Sequence, residues 1–460
     1  MNNRTNSNMG RPNSNMNGRN VPGGRPGGMN NNMRGPAGNN RMNARSNVNR
    51  PLPGRQVSLR GGGSAVIRPN GQIRSINRNG MQINRGMNGS RTIVSTHNGA
   101  RVVTTGRNAG YVQRNYVTRN GRTYVSRTVV VNHVTYTRVY RSYSYRGYCC
   151  YYGYHPAYYY APGYYGWAYN PWPAPVYYGW GWGGAPWYGY YGGYFAPYPA
   201  YPSAAFWLTD YLISANLQAA YQARAAANAA AAGGDNGGNG DNSGGGDQQY
   251  QNNGGDNNSA QNSGPVTLTP EVKDAIAEEV KAQLAAQQAA AQQQGAASNA
   301  QQTSGSSASE EVPAALDPAR HTFIVSSDLT VSSDGQECQL TAGDVIKRTS
   351  DTPDDDRKVT ATVSSSKKSD CAVGSEIAIG VDDLQEMHNK FEEQLDNGMK
   401  DLANKQGQNG LPKAPDTKTA PSDVPPPPPD TSAEKTLEEQ QSAADQTESQ
   451  VVKEAFSQGS

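Results

Sequence analysis

The chain has 460 residues, 52 of them Gly and 29 Pro, and only 35% are hydrophobic. Ordinary globular chains hold roughly 45–50% apolar residues, so one large enzyme core is excluded. The formal charge of +3 hides a division. Residues 1–209 carry 24 Arg and no Lys, Asp or Glu, whereas residues 210–460 carry 38 acids against 17 Lys or Arg. The first part is +24 and the second −21. An acid-free, Arg-only half attracts polyanions, including anionic polysaccharide, nucleic acid, lipid headgroups or the acidic half of another copy.

The composition predicts a mostly disordered, low-complexity chain with isolated helices and one small folded unit. Residues 1–54 mix Asn, Gly, Arg, Met and Pro without a period and read as a flexible cationic tail. Residues 55–146 alternate short β-rich runs with Asn-Gly dipeptides at Asn70-Gly71, Asn79-Gly80, Asn88-Gly89, Asn98-Gly99 and Asn120-Gly121. Asn-Gly between alternating runs signals hairpins, because type I′ turns need positive φ at both central residues. This stretch predicts an Arg-rich β-meander or β repeats. Arg68, Arg74, Arg78, Arg85, Arg114, Arg119, Arg122 and Arg127 are its polyanion-binding candidates.

Residues 147–202 form a Tyr/Trp/Gly/Pro low-complexity region. Between Tyr148 and Tyr201 lie 18 Tyr, 5 Trp and one Phe, with almost no aliphatic residue. The expectation is a flexible, stacking segment rather than an ordinary core. Tyr164, Tyr165, Trp167, Trp180, Trp182 and Trp187 are the candidates for stacking on sugars or bases. Residues 203–232 predict an Ala-rich amphipathic helix, with Ser203 as cap and Phe206, Trp207, Tyr211, Leu212, Leu217 and Tyr221 as its apolar stripe. Over 203–224 that stripe could pack or lie on a membrane surface. A linker over 233–269 leads to a helix over 270–294, whose Val272, Ile276, Val280 and Leu284 make a narrow seam for another helix, in this chain or a second copy.

After a linker over 295–318, residues 319–402 read as the folded unit: short strands, then a helix. Cys338 and Cys371 stand 33 apart within it and read as a structural disulfide, which implies an oxidising compartment. Adjacent Cys149 and Cys150 have no assigned role. Residues 403–431 form a Pro-rich linker with Pro425 to Pro429 in a row, a stiff spacer. An acidic helix or tail occupies 432–460.

Within the folded unit, Leu340-Thr341-Ala342-Gly343-Asp344-Val345-Ile346, Gly374 and Val381-Asp382-Asp383-Leu384 resemble the turn, closing turn and last strand of Src-homology-three barrels. The resemblance covers about 65 residues and implies a small all-β barrel acting as a docking module. The groove that binds proline-rich ligands in that family does not carry over, because the unit has neither Tyr nor Trp. Separately, Tyr178-Gly179-Trp180-Gly181-Trp182 resembles the YxWGxW-like stretches of uncharacterised, extracytoplasmic bacterial proteins. That resemblance implies location, not mechanism.

No P-loop, HExxH or GxSxG occurs. The five His are scattered and no CxxC occurs, so no metal, cofactor or catalytic residue is assigned. No run of 18 apolar residues predicts a spanning helix. The first residues lack the apolar core of a secretory signal, which leaves two expectations open. Either the true start lies upstream and the protein is periplasmic, secreted or otherwise in the cell envelope, or it is cytoplasmic. The leading functional expectation is a non-enzymatic envelope or surface protein that binds anionic polymers or self-associates. The alternative is a nucleic-acid-binding protein with an Arg/Tyr/Gly-rich disordered region.

Overall fold

The computed structural model describes residues 52–106, 109–232, 267–297, 311–367 and 371–456. The expected tail over 1–54 and the linkers over 233–269 and 295–318 therefore lie largely outside the described residues.

Ten antiparallel strands follow one another in chain order as a single sheet. They are β1 (Arg55–Ser58), β2 (Ser64–Ile67), β3 (Ile73–Arg78), β4 (Met81–Arg85), β5 (Arg91–His97), β6 (Ala100–Gly106), β7 (Ala109–Arg119), β8 (Arg122–Val131), β9 (Val134–Tyr145) and β10 (Tyr148–His155). The Asn-Gly dipeptides do two jobs. At Asn79-Gly80, Asn98-Gly99 and Asn120-Gly121 both residues have positive φ, as two-residue type I′ turns require. At Asn70 and Asn88 the side-chain oxygen instead accepts from the backbone N–H two residues on, Gln72 and Ser90, closing longer turns. Alternation along each strand puts Ala65, Ile76, Ile83, Ile93, Val102 and Val112 on one face. All six are buried.

The Tyr/Trp block is ordered, which overturns the disordered, low-complexity reading. It supplies β11 (Tyr158–Tyr160), α1 (Pro162–Tyr169) and α2 (Pro186–Tyr191). Tyr164, Tyr165, Trp172, Trp187, Tyr191, Tyr194, Phe195 and Tyr201 are buried in the largest core. The physical reason is area. Each aromatic ring buries about 150–250 Å², so Tyr and Trp replace the missing aliphatics. That core is completed by α3 (Ala204–Ala232) and α4 (Pro270–Ala297). Trp207, Leu208, Leu212, Ile213 and Leu217 of α3 are buried there, so the stripe expected for a membrane surface faces the protein interior. The α4 seam of Ile276, Val280 and Leu284 packs within this chain, against α1 and α3.

The C-terminal unit is also corrected. Strands β12 (Thr322–Ile324), β13 (Leu329–Ser333), β14 (Gln336–Leu340), β15 (Val345–Arg348), β16 (Lys358–Ser365) and β17 (Glu376–Gly380) form an open six-stranded antiparallel sheet in the order β12-β15-β16-β17-β13-β14. β12 and β14 are its two edges and do not pair, so no closed barrel forms. The Gly-Asp turn exists, with Gly343 at φ +92° and Asp344 accepting from the Thr341 N–H at 2.7 Å, but a local turn does not dictate closure. Cys338 and Cys371 are disulfide-bonded and buried in this core.

Three C-terminal elements return to the N-terminal half. α5 (Val381–Lys405) lies against β10. Its Asn389 donates to the Tyr152 carbonyl at 2.7 Å and accepts from the Tyr154 N–H at 3.0 Å. It thereby closes an edge that would otherwise expose unpaired backbone groups. β18 (Thr419–Pro421) pairs with β11. The proline run then crosses the sheet, where Tyr116 donates to the Pro425 carbonyl. α6 (Ala433–Phe456) crosses β5 to β8 on the face opposite to α5. Residues 403–431 therefore pack on the protein rather than forming a free spacer.

Candidate functional site

The arginine candidates meet the acids of the C-terminal half. On the α6 face of the sheet, Arg85 and Arg91 stand directly opposite each other on β4 and β5. Two like charges so placed repel. Glu448 of α6 sits between them. It takes Arg85 through both oxygens at 2.8 and 2.5 Å and Arg91 at 3.1 Å. Asp445 holds Arg91 at 2.5 Å. One strand further out, Arg78 pairs with Glu454 at 3.0 Å. At the start of α6, Arg114 pairs with Asp430 at 2.9 Å. The Glu448 hydrogen bond is the main cause that holds the Arg85 guanidinium above its ordinary pKa, against partial burial.

On the α5 face, Arg127 is 3% exposed and meets Glu386 through two bonds of 2.7 Å each. Gln113 accepts its Nε–H at 2.6 Å. The guanidinium lies 4.0 Å from the Tyr140 ring centre and 4.5 Å from that of Tyr111. Burial opposes the Arg127 charge, but Glu386, Tyr111 and Tyr140 outweigh it and raise its pKa well above the ordinary value. Arg68 and Arg74 share Glu337 of β14 and tie the two sheets together.

Six of the eight arginine candidates are thus held by carboxylates of this chain's own C-terminal half. Arg119 donates to the Asp423 carbonyl, and Arg122 is exposed beside Tyr124. Sequence reasoning missed Arg91, Arg141 with its partner Glu311, and the identity of every acid. The opposite charges of the two halves were the available signal. The pairings themselves are separated by up to 376 residues.

The stacking candidates are similarly engaged. Tyr164, Tyr165 and Trp187 are buried. Trp167 stacks on Tyr164. Trp180 lies between Trp182, at 4.4 Å, and Trp207, at 4.6 Å, with near-parallel rings. Its faces stack on other rings of the protein.

A row of acids, buried at Glu393 and half-buried at Asp383, Glu392 and Asp396, runs along α5. Glu393 accepts from the Tyr140 hydroxyl, and Asp396 accepts from the Tyr154 hydroxyl at 2.8 Å. Gln283 and Gln287 of α4 donate to Glu392 and Asp396. Burial pushes Glu392 up to about 8 and Asp396 up to about 7. Asp383 is raised to about 7 by burial, then by Asp382 and Glu386. His388, buried beside Arg320, is pushed well below its usual value.

Among the described residues, no three His, Cys, Asp or Glu side chains are grouped to hold a metal ion, and no helix is long and apolar enough to cross a membrane. No protein family, curated protein or solved structure matches the chain.

Proposed function

We propose that this is a non-enzymatic interaction protein of the cell envelope or surface that attaches to anionic polymers. Internal charge pairing shifts the attachment region away from the sheet. Of the chain's +3, residues 1–51 contribute +8 from eight Arg and no acid, which leaves −5 for residues 52–460. The observation that carries the reading is the pairing of the sheet arginines with the chain's own carboxylates. Segment 1–51, with eight Arg and no acid in its own sequence, is then the densest run of cationic charge with no acid beside it in sequence. The Cys338–Cys371 disulfide supports a location outside the reducing cytoplasm.

The test is binding of the full chain to polygalacturonate at two salt concentrations. It is repeated with Arg4, Arg11, Arg19, Arg25, Arg34, Arg41, Arg45 and Arg50 all changed to Gln. Wild type binds, and binding weakens steeply with salt, as expected when several cations release counterions. The eight-Gln variant loses at least about tenfold in affinity. Unchanged affinity in that variant contradicts the reading.

A further inference from the structure

We propose that α6 is a displaceable occupant of a carboxylate-binding row on the sheet, and that the row is a second seat for a linear polycarboxylate such as a uronic-acid polysaccharide. This rests on the polymer-binding reading above and adds a masked site to it.

The row is built for anions. Arg78, Arg85 and Arg91 lie on the successive strands β3, β4 and β5, all on the α6 face. Neighbouring strands are about 4.8 Å apart, so these three seats span roughly 10 Å across the sheet. Arg85 and Arg91 face each other in register and need an anion between them. Each seat now holds a carboxylate, and Arg85 holds its own in the planar two-point geometry that a guanidinium offers such groups.

The occupant is held by charge and polar bonds more than by apolar burial. Among the described side chains of α6, the buried apolar residues are Ala433, Leu437, Ala444, Val451 and Ala455, and three of these five are alanines. Between them, Gln440 donates to Ser95 and to the Val102 carbonyl at 2.9 and 2.8 Å, and Gln441 donates to the Gly106 carbonyl. A helix so seated competes with any ligand at the high effective concentration of an intramolecular partner. A single carboxylate cannot displace it. A linear polycarboxylate presents carboxylates in series and can take several seats at once. The seats are occupied by carboxylates, and the disulfide argues for a compartment outside the reducing cytoplasm, so an acidic polysaccharide fits better than a nucleic acid.

The test is amide hydrogen exchange of the full-length protein with and without saturating polygalacturonate at low salt. Galacturonate monomer and duplex DNA serve as comparators. The expected result is at least a tenfold loss of protection in 433–456 with the polymer, none with the monomer, and unchanged protection in 381–405. In parallel, Glu448→Gln with Glu454→Gln, both in the full chain, raises polymer affinity about tenfold. Polymer binding that leaves α6 protection unchanged overturns the masked site while the attachment reading stands. Absence of any polymer binding overturns both. Release of α6 by DNA but not by polygalacturonate overturns the ligand assignment.

Discussion

α5 and α6 cover opposite faces of one sheet and are held by different forces. α5 buries Val381, Leu384, Met387, Leu395, Met399 and Leu402. It adds a row of buried and half-buried acids hydrogen-bonded to Tyr140, Tyr154, Gln283 and Gln287. Among its described side chains, α6 buries mainly alanines, and it places Asp445, Glu448 and Glu454 on a row of arginines. A chain with few aliphatic residues thus uses its charges as well as its rings to fold. The helix on the aliphatic side is the structural one. The helix on the arginine side is the one that salt or another polyanion can address.

The largest expected effect is on α5. Leu395→Ala empties a fully buried position and costs about 2–5 kcal/mol, read as a shift in the urea midpoint. If its cost matches that of an α6 truncation such as Val451→Ala, the contrast between the helices fails.

The second effect is pH dependence through α5. Asp383, Glu392 and Asp396 have folded-state pKa values raised to about 7, 8 and 7. Each therefore binds a proton in the folded state that the unfolded chain has released above about pH 4. Their contribution to stability is fully present below that pH and is lost as pH rises through 7 and 8. The depressed His388 acts oppositely, destabilising only below its unfolded pKa of about 6.5. Through these acids stability falls as pH rises from 6.5 to 8, above the range in which His388 acts. Glu392→Gln flattens that fall in denaturant titrations. A decline of unchanged steepness in the variant rules out Glu392 as a cause.

A smaller and more local effect is expected from Glu448→Gln. It leaves Arg85 and Arg91 facing each other without their shared carboxylate. Amide protection in α6 drops about tenfold, while the urea midpoint moves less than in Leu395→Ala. The smallest effect is that of salt alone. At 1 M, where the screening length is about 3 Å, α6 exchanges faster and α5 does not. Equal responses of the two helices would erase the distinction.

The turns were the most legible part of the sequence. Asn79-Gly80, Asn98-Gly99 and Asn120-Gly121 mark hairpins because few other dipeptides tolerate two successive positive φ angles. The sheet they build continues past the expected limit at 146 to His155. The aromatic core was not legible, because Tyr and Trp beside Gly and Pro carry no aliphatic periodicity. Tyr164, Tyr165 and Tyr201 are nevertheless almost fully buried. The barrel expectation failed because a Gly-Asp turn specifies two adjacent strands, not whether β12 and β14 meet. The cations of the candidate site were visible as Arg68 to Arg127. Their partners were not, since nothing local in Glu337, Glu386 or Glu448 shows which arginine each will meet across hundreds of residues.

Six of the eight candidate arginines are neutralised by this chain's own acids, and arginine-selective dicarbonyl labelling read by mass spectrometry separates them most directly from exposed ones. Slow labelling is expected of Arg68, Arg78 and Arg127, whose side chains are 5, 11 and 3% exposed in their ion pairs, and fast labelling of exposed Arg101 and Arg122. In Glu454→Gln, Arg78 becomes reactive while Arg127 stays protected. Wild-type labelling of Arg78 and Arg127 at the rate of Arg122 would contradict the account.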